Sequence, residues 1–174
     1  RGMYAIAIFN KSTKELFLFR DLVGKKPLFY AFSNNKFYFA SEQKALFKIL
    51  GVNLEKRAIH QFLGFGATIS PNTLLKDIKK VEISSYLYFD GKNIINKRYE
   101  PFLKVKPKIS NLKIASKKLE KTLLNAVNLR IPKNVNWGVL LSGGLDSSLI
   151  ASLCKKSSKE KINLFSIGYE GYEK

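Results

Sequence analysis

Cysteine is nearly absent from this chain: Cys154 stands alone, so no disulfide can form within it, and the composition fits a reducing, cytoplasmic setting. Histidine, methionine and tryptophan also occur once each. His60 sits in a helical stretch with no acidic or cysteine neighbour, and a surface or packing role is expected. Long apolar runs are missing too. The longest are of strand length, far below the roughly 20 residues a membrane span needs. No signal peptide is visible, and the start at Arg1 in place of methionine reads as a piece of a longer chain.

Acidic residues are scarce, 13 against 31 Lys and Arg, giving a net charge of +18 over 174 residues. Such an excess raises the question of nucleic acid. The positive residues are nearly all lysine, spread along the chain among Asn and Ile, whereas phosphate and base recognition recruits arginine for its bidentate fork. A solvated lysine surface is the expectation, and nucleic acid is disfavoured as a partner. The 45% hydrophobic content supports a packed core and excludes disorder.

What is present begins with β structure. Met3 to Phe9 is nearly continuous apolar sequence and predicts a strand buried on both faces. A polar turn at 10–14 leads to a second strand, Glu15 to Arg20. The loop Asp21 to Pro27 follows, and Arg20-Asp21 reads as a structural ion pair there. Leu28–Phe32 and Lys36–Ala40 flank Asn34-Asn35, a tight hairpin turn. Ser41 is placed to cap a helix with Glu42 in its first turn, running to Gly51. A second helix is expected from Glu55 to Phe62, and a strand from Val81 to Phe89 before the turn Asp90-Gly91. The Phe and Tyr residues between 4 and 39 are expected to form sheet core, not a base-stacking platform.

Residues 104–111, with Pro101 and Pro107 nearby, have linker composition and divide a first domain (1–103) from a second (112–174). In the second, Leu112, Ala115, Leu119, Leu123, Ala126 and Val127 recur at helical spacing. Then come a strand (Trp137–Leu141), the loop Ser142-Gly143-Gly144, a helix to about Lys156 and a strand (Ile162–Ile167). That order predicts a right-handed βαβ unit with a parallel sheet, whose ligand edge lies at Ser142 and Gly168. Cys154, within the helix, is expected to be a small core residue.

The loop gathers backbone N–H groups, serine hydroxyls and the positive end of a helix around one point, an anion site. No lysine follows the glycines, so it is not the phosphate loop of kinases and GTPases. A released pyrophosphate suits it better than γ-phosphoryl transfer.

Ser142–Ser148 matches the S-G-G-x-D-S signature of the PP-loop ATP pyrophosphatases. Upstream, Gly2–Phe9, Arg20-Asp21-x-x-Gly24-x-Lys26-Pro27-Leu28-Phe29-Tyr30, and Phe39-Ala40-Ser41-Glu42-x-Lys44-Ala45-Leu46 resemble the second half of a class II glutamine amidotransferase domain. Gly66–Tyr99, with Thr73-Leu74, Ile78 and Tyr86-Leu87, is similar to the end of that domain. Together they resemble the glutamine-hydrolysing asparagine synthetase family. The resemblance implies a mixed α/β and α+β chain: part of an Ntn-hydrolase-type αββα glutaminase domain, then the start of a parallel-sheet, adenine nucleotide α-hydrolase-like domain. It implies a cytoplasmic ligase, with a homodimer compatible, that makes asparagine from L-aspartate, L-glutamine and ATP with Mg²⁺, through an aspartyl adenylate.

By the same resemblance Ser142, Gly143, Gly144 and Ser147 hold the β- and γ-phosphates, Asp146 orients the turn or reaches Mg²⁺, and the backbones of Leu140 and Ile167 flank the adenine. No catalytic residue is assigned, because the family's nucleophile is an amino-terminal cysteine outside this chain, and the chain alone is expected to be inactive. Glu170 and Glu173 stand near the nucleotide edge without an assigned role. The family's Pro-Gly before the Tyr-Leu pair is replaced by Ile83-Ser84, a mark of divergence. Three other readings stay open: amidation of another carboxylate, such as a sugar acid or a β-lactam precursor; a tRNA-modifying PP-loop protein; and a non-enzymatic regulatory relic.

Overall fold

The structure is a computed structural model describing residues 2–99, 109–158, 161–168 and 171. Backbone contacts divide the chain into two compact units, Arg1–Val105 and Lys106–Lys174.

The first unit holds two antiparallel sheets. One runs in the order β1 (Ala5–Phe9), β2 (Leu16–Arg20), β6 (Ser85–Phe89), β7 (Ile94–Arg98). The other runs β4 (Lys36–Ala40), β3 (Phe29–Ser33), β5 (Lys79–Lys80). Alternation along β2 and β6 turns Leu16, Leu18 and Leu87 inward onto Leu28 and Val81, with Tyr30, Phe37 and Phe89 packed alongside. Phe37 and Phe89 stack with ring centroids 4.7 Å apart, one residue from each sheet. The far side of the second sheet receives helix α1 (Gln43–Leu50), where Ala31, Leu46 and Ile78 form a second buried cluster. Helix α2 (Lys56–Phe65) follows, its start capped by the Glu55 carboxylate, which accepts from the Arg57 N–H, and its end by Gly66 in the left-handed region.

Several expectations change. Among the described residues β1 pairs only with β2 and is not buried on both faces: Ile6 is 44% and Ile8 53% exposed, opposite Phe19 and Phe17 of β2. The aromatic residues divide accordingly. Tyr30 and Phe37 join the core, whereas Phe17 and Phe19 lie on the other face of the first sheet against Tyr88 and Tyr86. The 81–89 run is not one strand. It breaks at a turn over Ile83 and Ser84, where Ser84 takes φ +54°, so the chain leaves one sheet at Lys80 and enters the other at Ser85. Glu42, not Ser41, occupies the cap position of α1. Its side chain makes no capping bond and instead pairs with Lys44 at 2.8 Å. Helix α2 continues past Phe62, through Gly64, and ends at Phe65. The Asn34-Asn35 turn forms with φ of 50° and 58°, the mirror-image geometry that matches strand twist.

The second unit has α3 (Leu112–Asn128), β8 (Gly138–Leu140), α4 (Leu145–Ser157) and β9 (Asn163–Phe165). Asn111 caps α3 by accepting from the Ile114 N–H at 3.1 Å. β8 and β9 pair in parallel, Leu140 opposite Phe165. Val127, Leu153 and Cys154 form the core between α3 and α4, with Trp137 and Val139 packed against it. Residues 104–108 of the expected linker lie outside the described residues, as do Pro101, Pro107, Glu170 and Glu173. No helix among the described residues is long and apolar enough to cross a membrane.

Candidate functional site: the glycine turn between β8 and α4

β8 delivers the chain to its carboxyl end at Leu140, and α4 begins five residues later. Gly143 makes the reversal at φ +80°, a conformation that costs a side-chain-bearing residue about 1 kcal/mol. Gly144, the cap residue, is different. Its φ of −75° and ψ of 164° suit any residue, and a Cβ there would meet only Ser142 Oγ at 3.6 Å. Chain geometry therefore asks for glycine at 143 and not at 144.

No side chain caps the start of α4, so its first-turn N–H groups face outward at the positive end of the helix dipole. Ser142 Oγ and Ser147 Oγ lie 3.0 Å apart, and the Ser147 hydroxyl donates to the Gly144 carbonyl at 3.1 Å. The two hydroxyls thus converge on the turn from its two sides. Asp146, exposed in the first turn, is the one carboxylate there. Leu140, 76% exposed, ends β8, and Ile167, 83% exposed, lies two residues past the end of β9. The predicted residues Ser142, Gly143, Gly144 and Ser147 are brought together, with Leu140, Asp146 and Ile167 on the same edge.

Nothing in the sequence marks Ser166. Its hydroxyl donates to the Leu141 carbonyl at 2.7 Å, directly before the turn. A serine just past a strand is a weak signal without the pairing register. Gly138 was also unread as more than strand: a Cβ there would come within 2.5 Å of the Phe165 ring and 2.8 Å of the Asn163 carbonyl. Glycine inside a strand is the usual mark of such a close approach.

Among the described residues no three His, Cys, Asp or Glu side chains cluster to hold a metal. Among the described residues Asp146 is the one carboxylate in the first turn of α4, and by itself it could hold a Mg²⁺ only together with ligands from outside the protein. Cys154 is buried in the core of the second unit, and burial raises its thiol pKa above the ordinary value, the environment of an inert cysteine. His60 is exposed on α2.

In the first unit the Arg20-Asp21 pair is not the ion pair expected. Asp21 is fully buried and its carboxylate accepts four backbone N–H bonds, from Tyr4 (3.2 Å), Val23 (3.3 Å), Lys25 (2.9 Å) and Lys26 (2.9 Å). Burial pushes its pKa up, and the N–H groups of Lys26, Lys25, Tyr4 and Val23 together outweigh that and hold it below the usual carboxylate value. Arg20 turns away to donate to the carbonyls of Gly24, Lys26 and Val81. Each charge is answered by backbone, and the two side chains build the loop between β2 and β3.

Comparison with known proteins gives these units their class. Residues 1–100 match the glutamine amidotransferase domain and residues 118–174 match asparagine synthase. A putative glutamine-hydrolysing asparagine synthetase 2 of Methanocaldococcus jannaschii is 34% identical over 98% of this chain and 34% of its own length. Asparagine synthetase 1 of Bacillus subtilis, also glutamine-hydrolysing, is 33% identical over 98% of this chain and 27% of its own length. A probable enzyme of the same description from Acanthamoeba polyphaga mimivirus is 30% identical over 97% of this chain and 30% of its own length. The class is that of a glutamine amidotransferase domain followed by an asparagine synthase domain. The chain belongs to the glutamine-hydrolysing asparagine synthetase family, and it spans about a third of the length of these relatives.

Proposed function

We propose that the protein carrying this chain is a cytoplasmic ligase that converts L-aspartate to L-asparagine with ATP and glutamine-derived ammonia. The first unit is then part of an αββα glutaminase domain and the second the start of a parallel-sheet PP-loop domain. One observation carries the reading: an uncapped helix start flanked by two convergent hydroxyls, with glycine at 144 where the fold does not demand it. A glycine that the chain can do without is one that a ligand can use, because its missing Cβ lets an anion approach the backbone.

In this reading the N–H groups of the turn and of the first turn of α4 bind the β- and γ-phosphates, joined by the Ser142 and Ser147 hydroxyls. An aspartate side-chain oxygen attacks the α-phosphorus, the bond to the bridging oxygen breaks, and pyrophosphate leaves. The donors hold the charge that develops on the departing group. Ammonia then attacks the acyl carbon and AMP departs. Mg²⁺ would be held by Asp146 together with the phosphates, supplying positive charge to the leaving group. Leu140 and Ile167 offer backbone groups to the adenine.

The test is isotope exchange between pyrophosphate and ATP by the full-length protein. Exchange that requires aspartate supports the reading. Exchange driven by a sugar acid or a β-lactam precursor and not by aspartate moves the assignment to that acceptor, and the replacement of Pro-Gly by Ile83-Ser84 makes this the second reading to check. Salt-sensitive RNA binding without amidation would point to a tRNA-modifying PP-loop protein.

A further inference from the structure

We propose that Ser166 is a positioning residue for the glycine turn, setting the geometry of the turn from the neighbouring strand. The proposal rests on Ser142–Ser148 being the pyrophosphate site. β8 and β9 end at Leu140 and Phe165. Beyond those ends, two bonds still hold the chains together. The Leu141 N–H donates to the Phe165 carbonyl at 2.8 Å, and the Ser166 hydroxyl donates to the Leu141 carbonyl at 2.7 Å. Both backbone polar groups of Leu141 are therefore bonded to the segment leaving β9.

The register gives the second bond its meaning. In a continued parallel ladder the Leu141 carbonyl would accept from the Ile167 N–H, two residues beyond Phe165. The Ser166 side chain fills that position instead. Two consequences follow. The Leu141 peptide plane is fixed immediately before Ser142, so the direction in which the chain enters the φ +80° reversal at Gly143 is set from β9. The backbone of Ile167 is also relieved of the ladder at the point where it reaches the ligand edge. Removing the hydroxyl lets the Leu141 carbonyl seek another donor, and the N–H groups of the turn lose their common aim.

The test uses the full-length protein with ATP as the probe, comparing wild type, Ser166→Ala and Ser166→Thr by calorimetric titration and thermal unfolding. Ser166→Ala is expected to raise the Kd for ATP roughly five- to tenfold, the scale of one lost hydrogen bond. Its Tm is expected to stay within about 2 °C of wild type, because the bond lies at an exposed strand end. Ser166→Thr, which keeps the hydroxyl, restores affinity, and the KM for glutamine does not move in either variant. Wild-type ATP affinity in Ser166→Ala overturns the proposal while leaving the site assignment standing. So does a weakened affinity that Ser166→Thr fails to restore. Absence of ATP binding by the wild type overturns the site assignment itself, and this proposal with it.

Discussion

Replacing Asp21 by asparagine changes one atom and should unfold much of the first unit's loop. The native carboxylate offers two acceptor oxygens, each taking two backbone N–H bonds: Val23 and Lys25 on Oδ1, Tyr4 and Lys26 on Oδ2. Asparagine keeps one acceptor and turns an NH₂ toward two of these part-buried N–H groups. An orphaned donor costs about 1–3 kcal/mol, toward the low end where it is part-buried, so Asp21→Asn should lose about 2 kcal/mol, a sizeable part of the roughly 5–15 kcal/mol that holds a domain. The sole tryptophan, Trp137, reports on the second unit, so the assay is urea unfolding followed by circular dichroism, with amide exchange at Val23, Lys25 and Lys26 as the local reading. The pH dependence has a definite sign. The folded pKa of Asp21 lies below its ordinary 3.8, so its stabilisation is complete above that value and is lost as pH falls through the folded pKa. Wild type and Asp21→Asn should therefore differ most near neutrality and converge in acid. A loss below about 0.5 kcal/mol at pH 7, or equal acid sensitivity in the two proteins, would refute the reasoning.

Two further substitutions probe close approaches. Gly24→Ala places a methyl 2.5 Å from Ile83 Cγ2 and 3.0 Å from Arg20 Nη2 in a residue at φ +66°. A loss of about 2–3 kcal/mol is expected in urea unfolding, from backbone strain plus overpacking against a stiff β-branched side chain. Gly138→Ala sets a methyl against the Asn163 carbonyl, so β8 and β9 must separate. It should cost the second unit about 1–3 kcal/mol by tryptophan fluorescence, and unchanged stability would show that the two strands leave room for the methyl.

What could be read from residues alone was what is local. The Asn34-Asn35 hairpin, the Gly51 stop and the S-G-G turn between strand and helix are each set by residues within a few positions, and the structure contains all three. What failed depends on distant partners. Ile94–Arg98 carries Asn, Lys and Arg and is exposed throughout, so only pairing with β6 makes it a strand. Val81–Phe89 looks continuous because nothing in Ile83-Ser84 announces a residue at positive φ. Met3–Phe9 is apolar enough for a central strand, yet it pairs on one side only among the described residues. Arg20 and Asp21 read as a pair because they are adjacent and opposite in charge, whereas backbone groups brought in by the loop satisfy each of them separately. Within the candidate site the turn residues were legible, but Ser166 was not, since its partner Leu141 is fixed by the β8–β9 register.

The most direct test of the site is Gly144→Ala in the full-length protein, titrated with ATP and unfolded thermally. The fold accepts alanine at φ −75°, ψ 164° with 3.6 Å of clearance, so stability should be unchanged or raised by up to about 1 kcal/mol. ATP affinity should fall by about 2 kcal/mol, roughly thirtyfold, because the methyl occupies the path of a phosphate to the backbone N–H groups. A Gly144→Ala protein that is equally stable and binds ATP as the wild type does would contradict the assignment of this turn to the pyrophosphate end of ATP.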